Sequence, residues 1–347
     1  MKDALVNIAM VTFNQERYIA KAIESVLAQN TNFQYRLIIA DDCSKDSTHE
    51  ICRAYAVKYS NKIVLTKNPV NLGLVLNYKK VFDLCPAKYI AILEGDDYWN
   101  DQLKLQKQVD ILESDNKIGL VHTDYDTLYE DNKIIYSTKK VNRVEVKNGY
   151  VFNHLIKKNF IASVTTCFRK ELLDRYVDYA LFIKEKPVTI DYSIWMELSY
   201  HSKVYYLKES TAVYRVLKSS ITNSSEFWEK ELYYNSGRKI KKYFFGKYSP
   251  SNYTICEIDK AYDFGLLIWA IKLGQEKKAR EYFRKVRDNY RFIFVIAPVV
   301  KYKPIFNLFS FILNLKNNSC TNLFTDIIAK RILSLSLSLR KFVKFTV

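Results

Sequence analysis

The first 125 residues alternate short apolar runs with stretches of helical periodicity, and this alternation constrains the fold more than any other feature. Four runs are typical of buried strands: residues 5–11 (LVNIAMV), 35–40 (YRLIIA), 63–66 and 88–94 (KYIAILE). After the first run, apolar residues recur at the spacing of one helix face: Ile19, Ala22, Ile23, Val26 and Leu27. The alternation predicts an α/β fold with a mainly parallel sheet flanked by helices.

Two pairs of adjacent carboxylates follow predicted strands two and four: Asp41 with Asp42, and Asp96 with Asp97. Ligands of parallel sheets bind beyond the carboxyl ends of the strands, so these acids are expected to meet there with Thr12 and Asn14. Adjacent carboxylates repel each other unless a cation neutralises them, and Mg²⁺ and Mn²⁺ prefer carboxylate and phosphate oxygens. One such pair alone is explained equally well as a solvated turn, but two at matching strand ends favour a metal–phosphate site.

Five motifs in a fixed order resemble the family 2 glycosyltransferases, which have the GT-A (Rossmann-like) fold and include enzymes that build bacterial surface polysaccharides. The motifs are VTFNQERYI (11–19), SVLAQ (25–29), IIADDCSKDST (38–48), NPVNLG (68–73) and EGDDYW (94–99). Each motif alone is weak, but their shared order and spacing are specific. The resemblance is close over residues 5–125 and looser to about 225.

The resemblance implies a site for the donor nucleotide. Thr12, Asn14 and Glu16 match positions that approach the nucleotide after the first strand, and Asn71 lies in the matching NPVNLG loop. Asp42 matches the acid that hydrogen-bonds the base, usually uracil.

The resemblance also implies the reacting groups. Asp96 and Asp97 match a DXD-type motif, with Asp96 towards the ribose or sugar and Asp97 towards Mn²⁺ or Mg²⁺. Asp191, in TIDYSIWMEL (189–198), matches the general base of inverting members, and a helix N-cap is its alternative explanation. Trp99 either stacks on an acceptor sugar or packs in the core.

Two departures from the family pattern leave the rest of the metal shell open. Where members often carry an Arg after the Gly-containing loop, GLVLNYKK (73–80) has Tyr78. Where members often have Tyr-Arg-x-His, the chain has YRVLK (214–218), so the expected histidine is missing. Lys218, Ser219 or Ser220 is the alternative contact for the diphosphate.

The second part of the chain is predicted to be a separate helical region. Residues 1–225 are expected to form the catalytic domain, with a nucleotide-binding half (1–125) and an acceptor half (126–225). Residues 226–347 are expected to be helical, and residues 230–347 hold 23 Lys and Arg against 8 Asp and Glu of a chain whose net charge is +17.

The apolar segments of this basic region favour a membrane surface. Residues 292–300, 304–315 and 323–347 are flanked by cations, but no run reaches the roughly 18 apolar residues of a spanning helix. They are typical of helices that lie in the interface of an anionic bilayer, although core helices are the alternative. The segments predict a cytoplasmic protein peripheral to the inner face of the cell membrane.

Taken together, the motifs predict an inverting glycosyltransferase that moves a sugar from a nucleoside-diphosphate donor, most often UDP, to a saccharide or lipid-linked acceptor. A nucleotidyltransferase that makes the nucleotide sugar is the first alternative, but VTFNQERY lacks the glycines of its phosphate loop. A basic nucleic-acid-binding protein is the second, and the acidic strand ends argue against nucleic acid as a partner. The six scattered cysteines contain no C-x-x-C pair and argue against a zinc site.

Overall fold

The computed structural model describes residues 4–129, 134–137, 148–185, 187–217, 226–250, 254–287 and 293–315. The chain divides into two compact units. The first comprises Met1–Lys218 with Tyr243–Asn252, and the second comprises Ser219–Lys242 with Tyr253–Val347. The first unit therefore ends a few residues before the predicted boundary at 225 and also includes a later segment.

The first half of the first unit has the predicted parallel strand–helix arrangement. Its strands are β1 (Val6–Thr12), β2 (Tyr35–Asp41), β3 (Ile63–Lys67) and β4 (Tyr89–Ile92). Its helices are α1 (Ile19–Leu27), α2 (Thr48–Lys58) and α3 (Leu74–Asp83). β1 pairs in parallel with β2 and β4, and β2 pairs in parallel with β3. Thr12 stands opposite Asp41, so β1 and β2 end at the same level.

Burial explains why these segments form a covered sheet. All seven residues of β1 are buried, as a central strand with helices on both faces requires. The buried face of α1 is made of the residues that the helical spacing predicted: Ile19, Ala22, Ile23 and Val26. The loops that follow the strands are therefore held by a rigid core.

The second half of this unit turns the sheet from parallel to mixed. It contributes β5 (Tyr98–Trp99), β6 (Ile118–Tyr129), β7 (Ile134–Ser137), β8 (Cys167–Arg169) and β9 (Lys203–Val216). The strand order is β3-β2-β1-β4-β8-β6-β9-β5, with β7 paired to β6. β8 is antiparallel to both β4 and β6, whereas β6 and β9 are parallel. The helices are α4 (Lys104–Ser114), α5 (Phe152–Leu155), α6 (Lys170–Tyr176), α7 (Tyr179–Glu185) and α8 (Asp191–His201).

Arg169 fixes the antiparallel strand β8 in this sheet. Its Nε donates to the carbonyl of Ile118 at 2.8 Å, and Nη2 donates to the carbonyl of Leu112. Its Nη1 donates to the hydroxyl of Tyr89 at 3.2 Å. Arg169 is buried, so these hydrogen bonds replace the water that the guanidinium loses. They join β8 to β4, α4 and β6.

Two strands of this half differ from what their sequence indicates. The run SVTTCFR (163–169) is strand-like, but it begins as a 3₁₀ turn (Ser163–Thr165), and only its last three residues pair as β8. Residues 203–207 indicate a short strand, but the strand continues to Val216 as β9, because Ala212 and Val213 are buried opposite β5. The sequence of residues 125–137 is compatible with a hairpin, and the β6–β7 pairing confirms it, although its turn at 130–133 lies outside the described residues.

The described part of the second unit is helical, as predicted for the C-terminal region. Its helices are α9 (Phe227–Tyr248, in this unit up to Lys242), α10 (Ile255–Lys272), α11 (Glu276–Val286), α12 (Ile293–Lys301) and α13 (Lys303–Leu315). Thr254 and Glu257 form a capping box at the start of α10. Among the helices described, none is long and apolar enough to cross a membrane. The apolar segment at 323–347 lies outside the described residues.

Candidate functional site

The loop after β1 and the loop after β2 are tied together by hydrogen bonds. The backbone N–H of Asn14 donates to Ser44 Oγ at 3.0 Å, and the N–H of Lys45 donates to Asn14 Oδ1 at 2.9 Å. The N–H of Ser47 donates to Glu16 Oε2 at 2.9 Å. Asn14 has a φ of 52°, a left-handed conformation that Asn adopts more readily than most residues. Asn14 and Glu16 thus shape the two loops, and both remain exposed at the predicted nucleotide site.

Asp42 holds the NPVNLG loop against the end of β2. Its carboxylate accepts hydrogen bonds from Asn68 Nδ2 at 2.7 Å, from the N–H of Leu72 at 2.8 Å and from the N–H of Gly73 at 3.0 Å. An ionised carboxylate offers about four acceptor positions, so Asp42 keeps capacity for one further donor such as a base N–H. The exposed Asn71 accepts from the same Gly73 N–H at 3.1 Å.

The neighbouring Asp41 has a structural role. It is fully buried, accepts from the N–H of Ser44 at 3.1 Å and from the Ser44 hydroxyl, and lies 3.1 Å from His49 Nδ1. These contacts hold the turn at Cys43, whose φ is 65°. Asp41 and Asp42 therefore hold loops in place, and their contacts do not support a metal-binding role for this pair.

The second acid pair belongs to a cluster of four carboxylates: Glu94, Asp96, Asp97 and Asp191. Gly95 allows the pair to lie close to the β1 loop, because a Cβ there would collide with Gln15 Oε1 and stand 2.8 Å from Thr12 Oγ1. Thr12 itself is buried and donates to Gln15 Oε1 at 2.7 Å. The structure thus brings Thr12 next to the acid pair, as the strand ends predicted.

Burial raises the pKa values of all four carboxylates, and neighbouring acids add to the shifts of Asp97 and Glu94. Burial raises the pKa of Asp97 well above its ordinary value, and the charges of Asp96 and Glu94 add to the shift. Burial raises the pKa of Glu94 to about 7, again with contributions from the charges of Asp96 and Asp191. Burial also raises the pKa values of Asp96 and Asp191. The four acids therefore cannot all be ionised without a cost in free energy, and a positive charge beside them would favour their ionised forms.

Arg215 of β9 opposes this charge. Its guanidinium lies 5.0 Å from the ring centre of Tyr18 and 5.2 Å from that of Tyr98, and its charge lowers the pKa values of Asp96 and Asp97. Its backbone N–H also donates to Asp97 Oδ1 at 2.7 Å. Arg215 lies in the segment that lacks the expected histidine, and the sequence alone did not indicate that it would contact the acid pair. Lys218, Ser219 and Ser220, the alternatives in that segment, lie outside the described residues.

Tyr78, which stands where family members often carry an Arg, also contacts the acid cluster. It is buried, and its hydroxyl donates to Glu94 Oε1. Burial raises the pKa of Tyr78 well above its ordinary value, and the charges of Glu94, Asp191 and Asp96 add to this shift. The neutral phenol therefore lies among the acids as a permanent hydrogen-bond donor.

Asp191 is the first residue of α8, and Ile190 occupies the cap position with no side-chain cap hydrogen bond. The N-cap explanation is therefore wrong. A carboxylate in the first turn is favoured by the helix dipole, and its electrostatic coupling to Glu94 and Tyr78 joins Asp191 to the cluster.

Trp99 packs in the core, the second of its two sequence-based explanations. It is 4% exposed, its Nε1 donates to the carbonyl of Val164 at 3.0 Å, and Lys104 Nζ lies 4.5 Å from its ring centre. The ring of Trp99 has no open face on which a sugar could stack. The predicted acceptor contact at Trp99 is therefore wrong.

The donor atoms of the cluster suit a hard divalent cation that substrate phosphates help to hold. Within the described ranges, no three His, Cys, Asp or Glu side chains are grouped so that they alone could hold a metal ion. Mg²⁺ sites commonly use only one or two carboxylates, with waters and substrate phosphates supplying the other ligands. Asp97 fits such a site, because a cation would favour the ionised form that burial and the neighbouring acids disfavour.

The high pKa of Glu94 gives a testable pH dependence. Between its ordinary value of 4.5 and its folded value of about 7, the folded protein keeps a proton that the unfolded chain has lost. The free energy of unfolding should therefore fall as pH rises through this window, by about 3 kcal/mol from this group. The measurement is urea unfolding in the presence of EDTA at pH 5 and at pH 8. The fall in the free energy of unfolding between these pH values should be smaller in Glu94→Gln than in the unaltered protein.

The matched control is Glu171→Gln, which changes an exposed glutamate of α6. It should keep the pH dependence of the unaltered protein. An equal loss of stability between pH 5 and pH 8 in Glu94→Gln and the control would contradict the buried charge at Glu94.

Comparison with known proteins supports the family resemblance. The family model described as glycosyl transferase family 2 matches residues 7–176. An uncharacterized protein of Mycobacterium tuberculosis is 30% identical over 228 residues, which are 64% of this chain and 63% of that protein. The putative teichuronic acid biosynthesis glycosyltransferase TuaG of Bacillus subtilis is 25% identical over 226 residues, 65% of this chain and 83% of that protein.

A solved structure with a similar fold is the mannosyltransferase PcManGT of Pyrobaculum calidifontis, in complex with GDP-Man and Mn²⁺. It is 12% identical, has a TM-score of 0.54, and the match covers 92% of this chain and 89% of that one. This likeness confirms the predicted GT-A fold. Over residues 7–176, the chain is similar to glycosyl transferase family 2.

Proposed function

We propose that this protein is an inverting glycosyltransferase that moves a sugar from a UDP-sugar to a saccharide or lipid-linked acceptor in the synthesis of cell-surface polysaccharide. The observation that carries the proposal is the cluster of the buried Asp97 with the partly buried Glu94, Asp96 and Asp191 beside the ends of β1 and β4. The match of residues 7–176 to the family model favours this function over a nucleotidyltransferase and over nucleic-acid binding.

The proposed reaction is a single displacement. Asp191 accepts the proton of the acceptor hydroxyl, whose oxygen forms a bond to the anomeric carbon as the bond from that carbon to the diphosphate oxygen breaks. The bonding electrons leave with the nucleoside diphosphate, and the configuration of the carbon inverts. The raised pKa of Asp191 supports this role, because a carboxylate of higher pKa is a stronger base.

The departing diphosphate needs positive charge that the protein only partly supplies. We propose that Asp97 binds Mn²⁺ or Mg²⁺ and that Asp96 contacts the ribose or the sugar. The cation, when bound, stabilises the charge that develops on the leaving group. Arg215 adds a fixed positive charge beside Asp96 and Asp97.

The nucleotide is proposed to bind across the loops after β1 and β2. The exposed Asn14, Glu16 and Asn71 lie on those loops and on the NPVNLG loop, and Thr12 lies beside the acid pair. Asp42 is proposed to accept a hydrogen bond from uracil, with the one acceptor position that its loop contacts leave. The identity of the base as uracil rests on the motif resemblance.

Removing the carboxylate of Asp97 should abolish metal-dependent donor binding. Calorimetric titration with UDP should show tighter binding in the presence of Mn²⁺ for the unaltered protein and no such gain for Asp97→Ala. Asp110→Ala, a change at an exposed aspartate of α4, is the matched control and should keep the gain. UDP binding that does not respond to Mn²⁺, or a full response in Asp97→Ala, would refute the metal role.

Replacing the proposed base should separate binding from transfer. Asp191→Asn should bind UDP and Mn²⁺ normally but transfer sugar roughly 10²–10⁴-fold more slowly, the usual contribution of a general base. The assay is a screen of nucleotide sugars against saccharide and lipid-linked acceptors, with Asp178→Asn at an exposed site as control. A normal rate in Asp191→Asn would remove this residue as the base.

We also propose that the second unit contacts the inner face of the cell membrane, where a lipid-linked acceptor would be found. An exposed apolar stripe supports this proposal: Tyr302, Ile305 and Leu308 are 53%, 40% and 59% exposed. Ile305 and Leu308 are three residues apart on one face of α13, and Tyr302 lies just before that helix, between the exposed Lys301 and Lys303. Apolar side chains beside cations suit the interface of an anionic bilayer.

The stripe can be tested without truncating the chain. Joint replacement of Ile305 and Leu308 by Ser should weaken co-sedimentation with phosphatidylglycerol-containing vesicles by about tenfold or more, because two apolar side chains no longer enter the bilayer. Val57→Ser, at a 75% exposed position of α2, is the control. Equal sedimentation of the double variant and the control would exclude the stripe as the contact.

A further inference from the structure

A small cleft lies in the first unit, away from the carboxylate cluster. Its volume is about 280 Å³, and its lining is mainly aromatic. The residues that shape it are Tyr150, Phe152, Asn153, Ser199, Tyr200 and Tyr248. No charged side chain lines this cleft. A ligand that fills it is therefore expected to be small and uncharged where it makes contact.

The aromatic rings form a fixed platform. The rings of Tyr200 and Tyr248 are stacked with centres 3.6 Å apart and an angle of 18° between their planes. The ring of Phe152 meets both edge-on, at 5.2 Å and 5.4 Å. Such mutual packing leaves the rings little freedom, so a ligand that stacks on them does not have to order them first.

A buried polar network holds Tyr248 in this position. Glu197, 1% exposed, accepts a hydrogen bond from the Tyr248 hydroxyl and another from Lys247 Nζ at 2.7 Å. His201 Nε2 lies 3.0 Å from the same hydroxyl, and the His201 ring stacks on Tyr176 at 3.5 Å. The phenol cannot rotate away without leaving a buried carboxylate short of a donor, which is costly.

The open surfaces of the cleft combine ring faces with uncharged polar groups. Tyr150 is 63% exposed and Tyr200 is 42% exposed. Asn153 and Ser249, both exposed, offer an amide and a hydroxyl at the edge of the cleft. Sugars are complementary to these groups. Their apolar C–H faces stack on aromatic rings, and their hydroxyl groups exchange hydrogen bonds with amides and hydroxyls.

The cleft is separate from the proposed site of reaction. Tyr200 is nine residues after Asp191 in α8, which corresponds to about 14 Å along the helix axis and about half a turn around it. A ligand in the cleft therefore does not present its reacting atom to Asp191. The cleft is suited to hold a part of a larger ligand that is remote from the reacting end.

We propose that this cleft is a second saccharide-binding site, which holds a neutral sugar unit of a glycan at a distance from the transfer site. The stacked Tyr200, the exposed Tyr150 and the uncharged polar rim select a neutral saccharide over an anionic one. The identification of this glycan as the acceptor rests on the proposed glycosyltransferase function. The binding of a neutral sugar in the cleft does not depend on that function.

The binding is tested with three neutral probes: maltoheptaose, laminaritetraose and tetra-N-acetylchitotetraose. Saturation-transfer difference NMR on the full chain should show transfer to the ring protons of at least one probe. Tyr200→Ala and Tyr150→Ala should each weaken binding about tenfold, because each removes a stacking face. Tyr200→Phe should retain binding, since the ring remains. Trp228→Ala removes an aromatic side chain that is 60% exposed and lies outside the cleft, and this variant should bind as the unaltered protein does.

Three results would overturn the proposal: no probe binds, binding survives both alanine variants, or UDP displaces the bound sugar. Retained UDP binding by the alanine variants shows that they are folded. Asp97→Ala should still bind the sugar, so a failure of the proposed donor site leaves this test intact. Conversely, loss of sugar binding to the cleft leaves the proposed transfer chemistry intact.

Discussion

The removal of four neighbouring carboxylates from water is the constraint on which the rest of the site depends. Glu94, Asp96, Asp97 and Asp191 each have a raised pKa, and burial is the first cause in every case. A protein can bury such a group only if the rest of the core supplies the free energy, or if a bound cation compensates the charge. A cation bound beside these four acids, as proposed, would favour their ionised forms.

Distant parts of the first unit supply what holds these acids in place. Gly95 leaves room for Gln15 and Thr12, and β9 brings the Arg215 backbone N–H to Asp97 across 118 positions of sequence. The Arg169 hydrogen bonds fix β8 between β4 and β6, so the parallel half and the mixed half of the sheet form one support. A rigid scaffold of this kind keeps charged groups in position before any ligand arrives, which is the condition for electrostatic catalysis.

Local patterns were sufficient to predict the parallel half, because the burial of β1 and of one face of α1 follows directly from residue periodicity. They also placed Asp96 and Asp97 at a strand end. They could not show that the backbone N–H groups of Leu72 and Gly73 donate to the Asp42 carboxylate. Nor could they show that Trp99 donates to the carbonyl of Val164, which is 65 positions away in sequence. Such contacts arise from tertiary packing. Tyr78 and Arg215 were missed for the same reason, although Tyr78 is a departure from the family pattern and Arg215 lies in the segment that lacks the expected histidine.

The central claim is that the carboxylate cluster binds a cation together with a nucleoside diphosphate, and proton release measures it most directly. A group that is partly protonated at pH 7, as Glu94 is with a pKa of about 7, must lose its proton when positive charge arrives. Titration of preformed Mn²⁺–UDP into the protein at pH 7, in buffers of different ionisation enthalpy, counts these protons. The account predicts net release, reduced in Glu94→Gln. Binding without proton release, or with proton uptake, would contradict it.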